Sequence, residues 1–209
     1  MKTNTIKTRE ALVVLAIYLA ALAWSTTGPS DWFTWFVEVV PALIYLVIFS
    51  LIWNKWRPTG MLAWLLLAHS FILMVGGRYS YANEPLFNWI RDHYHLARNH
   101  FDRVGHFAQG FIPALLAREV IMRQTGMRPR FLAGFLPVCV ALAASALYEI
   151  IEMLVATSLG SSAESFLGSQ GDTWDAQWDM TMCLIGSIIA VTLLGKVQNR
   201  ALGIRGKKA

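Results

Sequence analysis

Charge is scarce in this sequence. Asp, Glu, Lys and Arg make up 15% of its 209 residues, where an ordinary soluble domain carries about a quarter. A chain of this length cannot hide 56% hydrophobic residues in one water-facing core. The composition therefore excludes a disordered chain and argues against a soluble single domain. Cysteine is as sparse. The two, Cys139 and Cys183, lie inside apolar runs and supply neither a disulfide framework nor a C-x-x-C metal pair. Internal repeats and low-complexity tracts are lacking too, which excludes a solenoid or a linker-rich architecture. What the chain has in quantity is long apolar stretches, with nine Trp and eleven Phe, residues that collect at bilayer interfaces.

Six runs are free of Asp, Glu, Lys and Arg: 11–30, 39–54, 58–77, 104–117, 131–148 and 180–195. A spanning helix needs about 17–25 mostly apolar residues. Three runs meet that length, and the others are expected to continue through polar residues at one end. They are Leu- and Ala-rich, without period-two alternation, so helix is favoured over strand. The sequence thus predicts an all-α, polytopic membrane protein: one integral six-transmembrane-helix bundle, with spans near 11–30, 37–54, 58–77, 104–122, 131–155 and 177–195. Trp24, Trp32, Trp35, Trp53, Trp56 and Trp89 fall near the expected helix ends. Pro113 and Pro137 read as kinks packed against neighbouring helices, and Gly186 with Ser187 as a close helix contact.

With six spans, one side of the membrane receives Lys2, Lys7, Arg9, Lys55, Arg57, Arg118, Arg123, Arg128, Arg130, Lys196, Arg200, Arg205, Lys207 and Lys208, which is 14 of the 18 cations. The other side keeps Arg78, Arg91, Arg98 and Arg103. The positive-inside rule then puts both termini in the cytoplasm. The net charge of +5 is explained by topology, so no nucleic-acid partner is expected. A cleavable signal ending at Ala23-Trp24-Ser25 would break this charge pattern, and the first run is expected to stay as an anchor.

Polar residues gather on the outer side. All five His (His69, His93, His95, His100, His106) lie in the third span, the following loop or the start of the fourth span. Asp102 and His106 are four apart and share a helix face. Glu149 and Glu152, three apart, share a face near the outer end of the fifth span. Asp172, Asp175 and Asp179 form one helical stripe, with Gly171-Asp172 reading as a helix start capped by Asp172. The three groups come from different helices at about the same depth. Each charge costs roughly 2.5–3.5 kcal/mol at the bilayer centre and less near the interface, so the acids need compensation. Arg78, Arg98 and Arg103 can neutralise part of it. Single His69 reads as hydrogen-bonded within the bundle, and His93, His95 and His100 as exposed loop residues.

Asp, Glu and His together are a ligand set for divalent ions, and Asp102, His106, Glu149, Glu152, Asp175 and Asp179 are the candidate ligands of zinc, manganese or iron. The leading functional expectation is a metal-dependent hydrolase acting on a lipid-associated substrate, with Glu149 and Glu152 as catalytic carboxylates and Arg103 binding a substrate phosphate or carboxylate. The competing expectations are an ion-coupled transporter, which shares the intramembrane acids, and a structural or assembly role. Against transport, the first three spans read as almost free of ionisable residues apart from His69.

The stretches Asp102-Arg103-Val104-Gly105-His106-Phe107-Ala108-Gln109-Gly110, Tyr148-Glu149-Ile150-Ile151-Glu152 and the run from Phe166 to Met180 (FLGSQGDTWDAQWDM) together resemble the YjdF family of bacterial inner-membrane proteins. The resemblance covers most of the chain. It implies a multi-pass inner-membrane protein and supplies no activity.

Overall fold

A computed structural model describes residues 3–159 and 169–204. Lys2, Phe166-Leu167-Gly168, Arg205, Lys207 and Lys208, used above, lie outside the described residues. Within them the chain forms α1 (Thr8–Ser25), α2 (Trp32–Ile52), α3 (Gly60–Tyr79), a single 3₁₀ turn (Tyr81–Asn83), α4 (Pro85–Tyr94), α5 (Phe101–Thr125), α6 (Leu132–Leu159) and α7 (Asp175–Ala201). The fold is all-α.

Five of these helices, α1, α2, α3, α6 and α7, are long and apolar enough to cross a membrane. The sixth expected span, α5, has 25 residues but carries Asp102, Arg103, Arg118, Glu119 and Arg123. It can be this polar because it runs through the middle of the bundle, packed by α3, α6 and α7. Neighbouring helices, not lipid, cover it, so it needs no apolar stripe of its own. Its buried face includes Asp102, His106, Arg118 and Glu119 beside Ile112 and Leu115.

Two ends of the bundle can be told apart. At the base, the start of α1 meets the end of α7 and the start of α3. The Asn4 N–H donates to the Ala201 carbonyl at 2.7 Å, and the Ile6 N–H to the Pro58 carbonyl at 2.9 Å. Glu119, 0% exposed, accepts from the Thr59 N–H at 2.9 Å, the Thr59 hydroxyl at 2.8 Å and Arg123 at 3.2 Å. Thr59 caps α3 in turn, so a buried acid of α5 fixes where α3 begins. Nearby, Arg118 donates to the side-chain oxygens of Gln198 and Asn199 at 2.8 and 2.7 Å. These groups lie in the last turns of α7, where the helix dipole favours a cation.

At the opposite end, the crown, α1 and α2 are joined through residues 26–31. Asp31 caps α2 by accepting from the Thr34 N–H at 2.6 Å, and that bond holds its carboxyl below the usual range. Arg78, expected among the acids, instead donates to the Trp24 carbonyl and the Thr27 hydroxyl at 2.7 and 2.5 Å and lies over the Trp24 ring. It fastens α1 to α3. The segment expected as a polar loop, 78–103, contains α4. Pro85 opens that helix, Glu84 caps it by accepting from the Phe87 N–H at 2.8 Å, and Leu86 and Trp89 are exposed on it. His93 stacks on Trp89, the arrangement of an amphipathic interfacial helix.

Candidate functional site

The crown ends of α5, α6 and α7 place three of the polar groups together. His106 is at the centre. Its Nε2 lies 3.5 Å from Asp102 Oδ1, one turn earlier on α5, and 3.8 Å from Asp179 Oδ1 on α7. Its Nδ1 lies 3.8 Å from Glu149 Oε1 on α6. Asp102, His106 and Asp179 are all buried, and one ligand atom from each falls within 4.8 Å of the other two. His106 Nδ1 and Glu149 Oε1 are buried without a hydrogen-bond partner among the described residues.

Above this group lies a rim of two arginines and two aspartates. Arg103 bonds to Asp179 through one amino group and to Asp175 through the other at 2.6 Å, with Asp172 at 3.2 Å. Arg98 reaches Asp175 at 2.7 Å and Asp172 at 3.4 Å, and faces Asp102 at 3.6 Å. The planar guanidinium fork suits such sharing between carboxylates. Next to Arg98 in the chain, Asn99 is fully buried. Asn99 exchanges two 2.9 Å bonds with the Gln170 side chain and donates to the Glu84 carbonyl and Asn88 Oδ1 at 3.0 and 2.9 Å. One asparagine thus ties the start of α4, the start of α5 and the loop before α7. His100, beside both arginines, has its imidazole pKa lowered by partial burial and by Arg98 and Arg103.

The expected capping by Asp172 is corrected by this arrangement. Helix α7 begins at Asp175, after Trp174 and with no side-chain cap. Asp172 accepts from the Trp174 N–H at 2.9 Å while its other oxygen faces the arginines. The two ion pairs hold it in a turn ahead of the helix. Asp175 belongs to the rim, on Arg98 and Arg103. Glu152 is half-buried and within electrostatic reach of Glu149, Glu38, His106 and Asp102, one turn further along α6 than Glu149.

Glu38 is the site residue that the charge-free runs conceal. It lies inside α2, is 5% exposed and accepts from the Tyr148 hydroxyl at 3.4 Å. It is within electrostatic reach of Asp102 and His106. The expectation that the first three spans hold almost no ionisable group besides His69 is therefore corrected. A signal was there: the charge-free run 39–54 is too short to span, and the expected span 37–54 already takes in Glu38. Tyr81 lies beside the same group, its ring filling the space that a side chain at Gly76 or Gly105 would need. His69 accepts or donates at Nδ1 with the Tyr45 hydroxyl at 3.2 Å, within the bundle as expected.

Seven carboxylates (Glu38, Asp102, Glu149, Glu152, Asp172, Asp175, Asp179) thus share this end with Arg98, Arg103 and His106. The acids remain in excess even with His106 protonated. The spacing around Nε2 is chemically informative. Separations of 3.5 and 3.8 Å exceed an ordinary hydrogen bond. They approach the edge of a tetrahedron with metal–ligand bonds near 2.1 Å, about 3.4 Å.

Comparison with known proteins places the chain. Residues 10–200 match the model of a family described as predicted membrane protein DUF2238. The chain is also 40% identical over 181 residues, 87% of each protein, to the inner membrane protein YjdF of Escherichia coli strain K12. No solved structure matches it. The chain belongs to the DUF2238 family of membrane proteins.

Proposed function

We propose that this member of the family is a metal-dependent hydrolase of a bacterial inner membrane, acting at the crown on an ester or phosphoester of a lipid-associated substrate. The observation that carries the reading is the convergence of Asp102, His106 and Asp179 at metal-ligand spacing, with Glu149 facing the second ring nitrogen. Glu149 accepting from Nδ1–H would fix the tautomer that leaves Nε2 free to bind, the carboxylate–histidine pairing common in metal sites. A bound zinc, manganese or iron supplies an acidic water and polarises the scissile group. Glu152, outside that ligand set, is the carboxylate available for proton transfer. Asp172 is the most exposed acid of the rim, at 29% of its side chain, and is held at the longest distances. An anionic group of the substrate displacing it would meet Arg98 and Arg103 together.

Metal analysis of protein purified without chelators tests this. We expect about one equivalent of a single divalent ion, lost in Asp179→Asn and in His106→Gln but kept in Glu152→Gln. A substoichiometric content that is the same in wild type and all three variants would remove the cofactor from the proposal.

The basic residues at the base support the orientation with that end, and both termini, in the cytoplasm, and the crown outside. A reporter inserted after His95, in the exposed turn following α4, should then behave as periplasmic, and one after Gly126 as cytoplasmic. The reverse pattern overturns the orientation.

A second reading, ion-coupled transport, draws on the continuation of ionisable groups below the site. Glu38 and then His69, which is within electrostatic reach of His106, lead toward Tyr45 in the middle of the bundle. Cation-dependent acidification or alkalinisation of proteoliposomes, absent in Glu38→Gln, would favour this reading over hydrolysis.

A further inference from the structure

Far from the crown site, α1 and α2 part from one another. At the crown they are joined by a short loop and by the Trp35 indole N–H, which donates to the Ser25 hydroxyl at 3.1 Å. Both pack on α3. Toward the base they diverge and leave a groove of about 360 Å³, with α3 as its floor. Its walls are apolar: Leu12 and Leu15 of α1, Leu46 and Phe49 of α2, Leu66 and Leu67 of α3. At about 30 Å³ for a water-sized group, which is roughly a methylene, this space takes on the order of a dozen chain carbons.

The mouth of the groove, at the base, is cationic. Arg57 Nη1 donates to the Thr8 hydroxyl and Arg57 Nε to the Trp53 carbonyl, each at 3.4 Å. Its guanidinium lies 4.5 Å from the Trp53 ring centroid. Thr8 and Trp53 both line the groove, so the charge is placed at its rim. Lys7, Arg9 and Lys55 are exposed beside it. The nearby acid, Glu10, accepts from the Trp64 indole at 2.8 Å. Among the described residues no carboxylate lies within ion-pair distance of Arg57.

An apolar channel open between spanning helices, ending under a ring of basic side chains, has the chemistry of an anionic amphiphile. We infer that the groove binds one acyl chain of an anionic phospholipid from the base-side leaflet, with the phosphate held at Arg57. The chain fills the space between α1 and α2, and the headgroup meets Lys7, Lys55 and the guanidinium at the interface. The bound lipid then completes a contact that α1 and α2 do not make with each other. This site is independent of the proposed hydrolase centre, and neither depends on the other.

Native mass spectrometry of delipidated protein, titrated with phosphatidylglycerol or phosphatidylcholine of the same acyl chains, tests the inference. Wild type should retain one phosphatidylglycerol, with a preference over phosphatidylcholine of about fivefold for one basic contact and more with several. Arg57→Gln should cut that preference by about fivefold, leaving what Lys7 and Lys55 supply, and should still bind both lipids because the apolar groove remains. Ala11→Trp, which fills the groove near its mouth, should release both. Equal retention of the two lipids by wild type overturns the inference, as does phosphatidylglycerol binding unchanged in both variants.

Discussion

Arg103→Met should destabilise the bundle by about 3–5 kcal/mol, the range seen when one partner of a buried ion pair is removed. The size follows from what the guanidinium holds. It bonds to Asp179, to Asp175 at 2.6 Å and to Asp172 at 3.2 Å. Its own side chain is 11% exposed and that of Asp179 only 3%. Without it, among the described residues, Asp179 keeps only His106 as a basic neighbour, and Asp175 depends on Arg98. Methionine restores the volume but none of the charge. Arg103→Lys should fall between, since a single ammonium cannot bridge two carboxylates as the planar fork does. Reversible unfolding in mixed micelles gives the measurement. The double variant Arg103→Met/Asp179→Asn should be more stable than the sum of its parts predicts, because the second change removes the stranded charge. A single variant within about 0.5 kcal/mol of wild type, the range of an ordinary surface substitution, would show that the rim is solvated in the membrane and bears little weight.

Much of this arrangement is legible in the sequence, and the reason is helical periodicity. Asp102 with His106 and the Asp175–Asp179 pair repeat at four-residue spacing, so each pair occupies one face of its helix wherever that helix lies. Charge asymmetry between the loops then indicated that the three polar groups share an end of the bundle. Periodicity says nothing of partners on other chain segments. Arg103 is expected both to neutralise acids and to bind a substrate anion, and periodicity alone does not show that three aspartates engage it. The same gap is why Arg78 read as a member of the acidic group, although its ligands are a backbone carbonyl and a hydroxyl near the end of α1. Glu38 stayed hidden for a different reason. A single acid one residue ahead of a charge-free run reads as the end of a span, although such buried acids matter most in a membrane protein. The same rule left α5 looking marginal. Its polarity is the consequence of its central place, and hydropathy measures only the contact with lipid that a central helix lacks.

The α4 helix was illegible for want of length. Ten residues with Asn88, Arg91, Asp92 and His93 carry no spanning signal, and its apolar residues cover only one face. Its starting signals, Glu84 before Pro85, are clear once a helix there is considered. The 95–100 connection could not be read in detail, since the bonds of Asn99 reach residues far along the chain. Asn99 with Gln170 is the example: a reciprocal amide pair across 71 positions leaves no local pattern.

The spacing of α5 and α7 is the feature on which the proposed metal site depends most, and two glycines set it. A Cβ at Gly110 would overlap the backbone carbonyl of Cys183, and one at Gly186 would overlap that of Phe107. Each helix therefore presses a glycine against the other's main chain, in the manner of small-residue contacts between membrane helices. Backbone atoms cannot rotate aside, so an added methyl must push the helices apart. Gly110 is four residues beyond His106, and Gly186 seven beyond Asp179, so the contact lies just below the ligands. Gly110→Ala and Gly186→Ala should each cost about 1–3 kcal/mol through overpacking. They should also lower metal content, because the 3.8 Å between His106 Nε2 and Asp179 Oδ1 widens with the helices. Gly134→Ala is the control. It adds a methyl to α6 where nothing lies within 4 Å, and should be neutral or stabilising by up to about 1 kcal/mol from helix propensity. Melting and metal content measured on the three variants separate the effects. Wild-type values for both Gly110→Ala and Gly186→Ala would mean that α5 and α7 can part without consequence, and that their crossing does not fix the distance between His106 and Asp179.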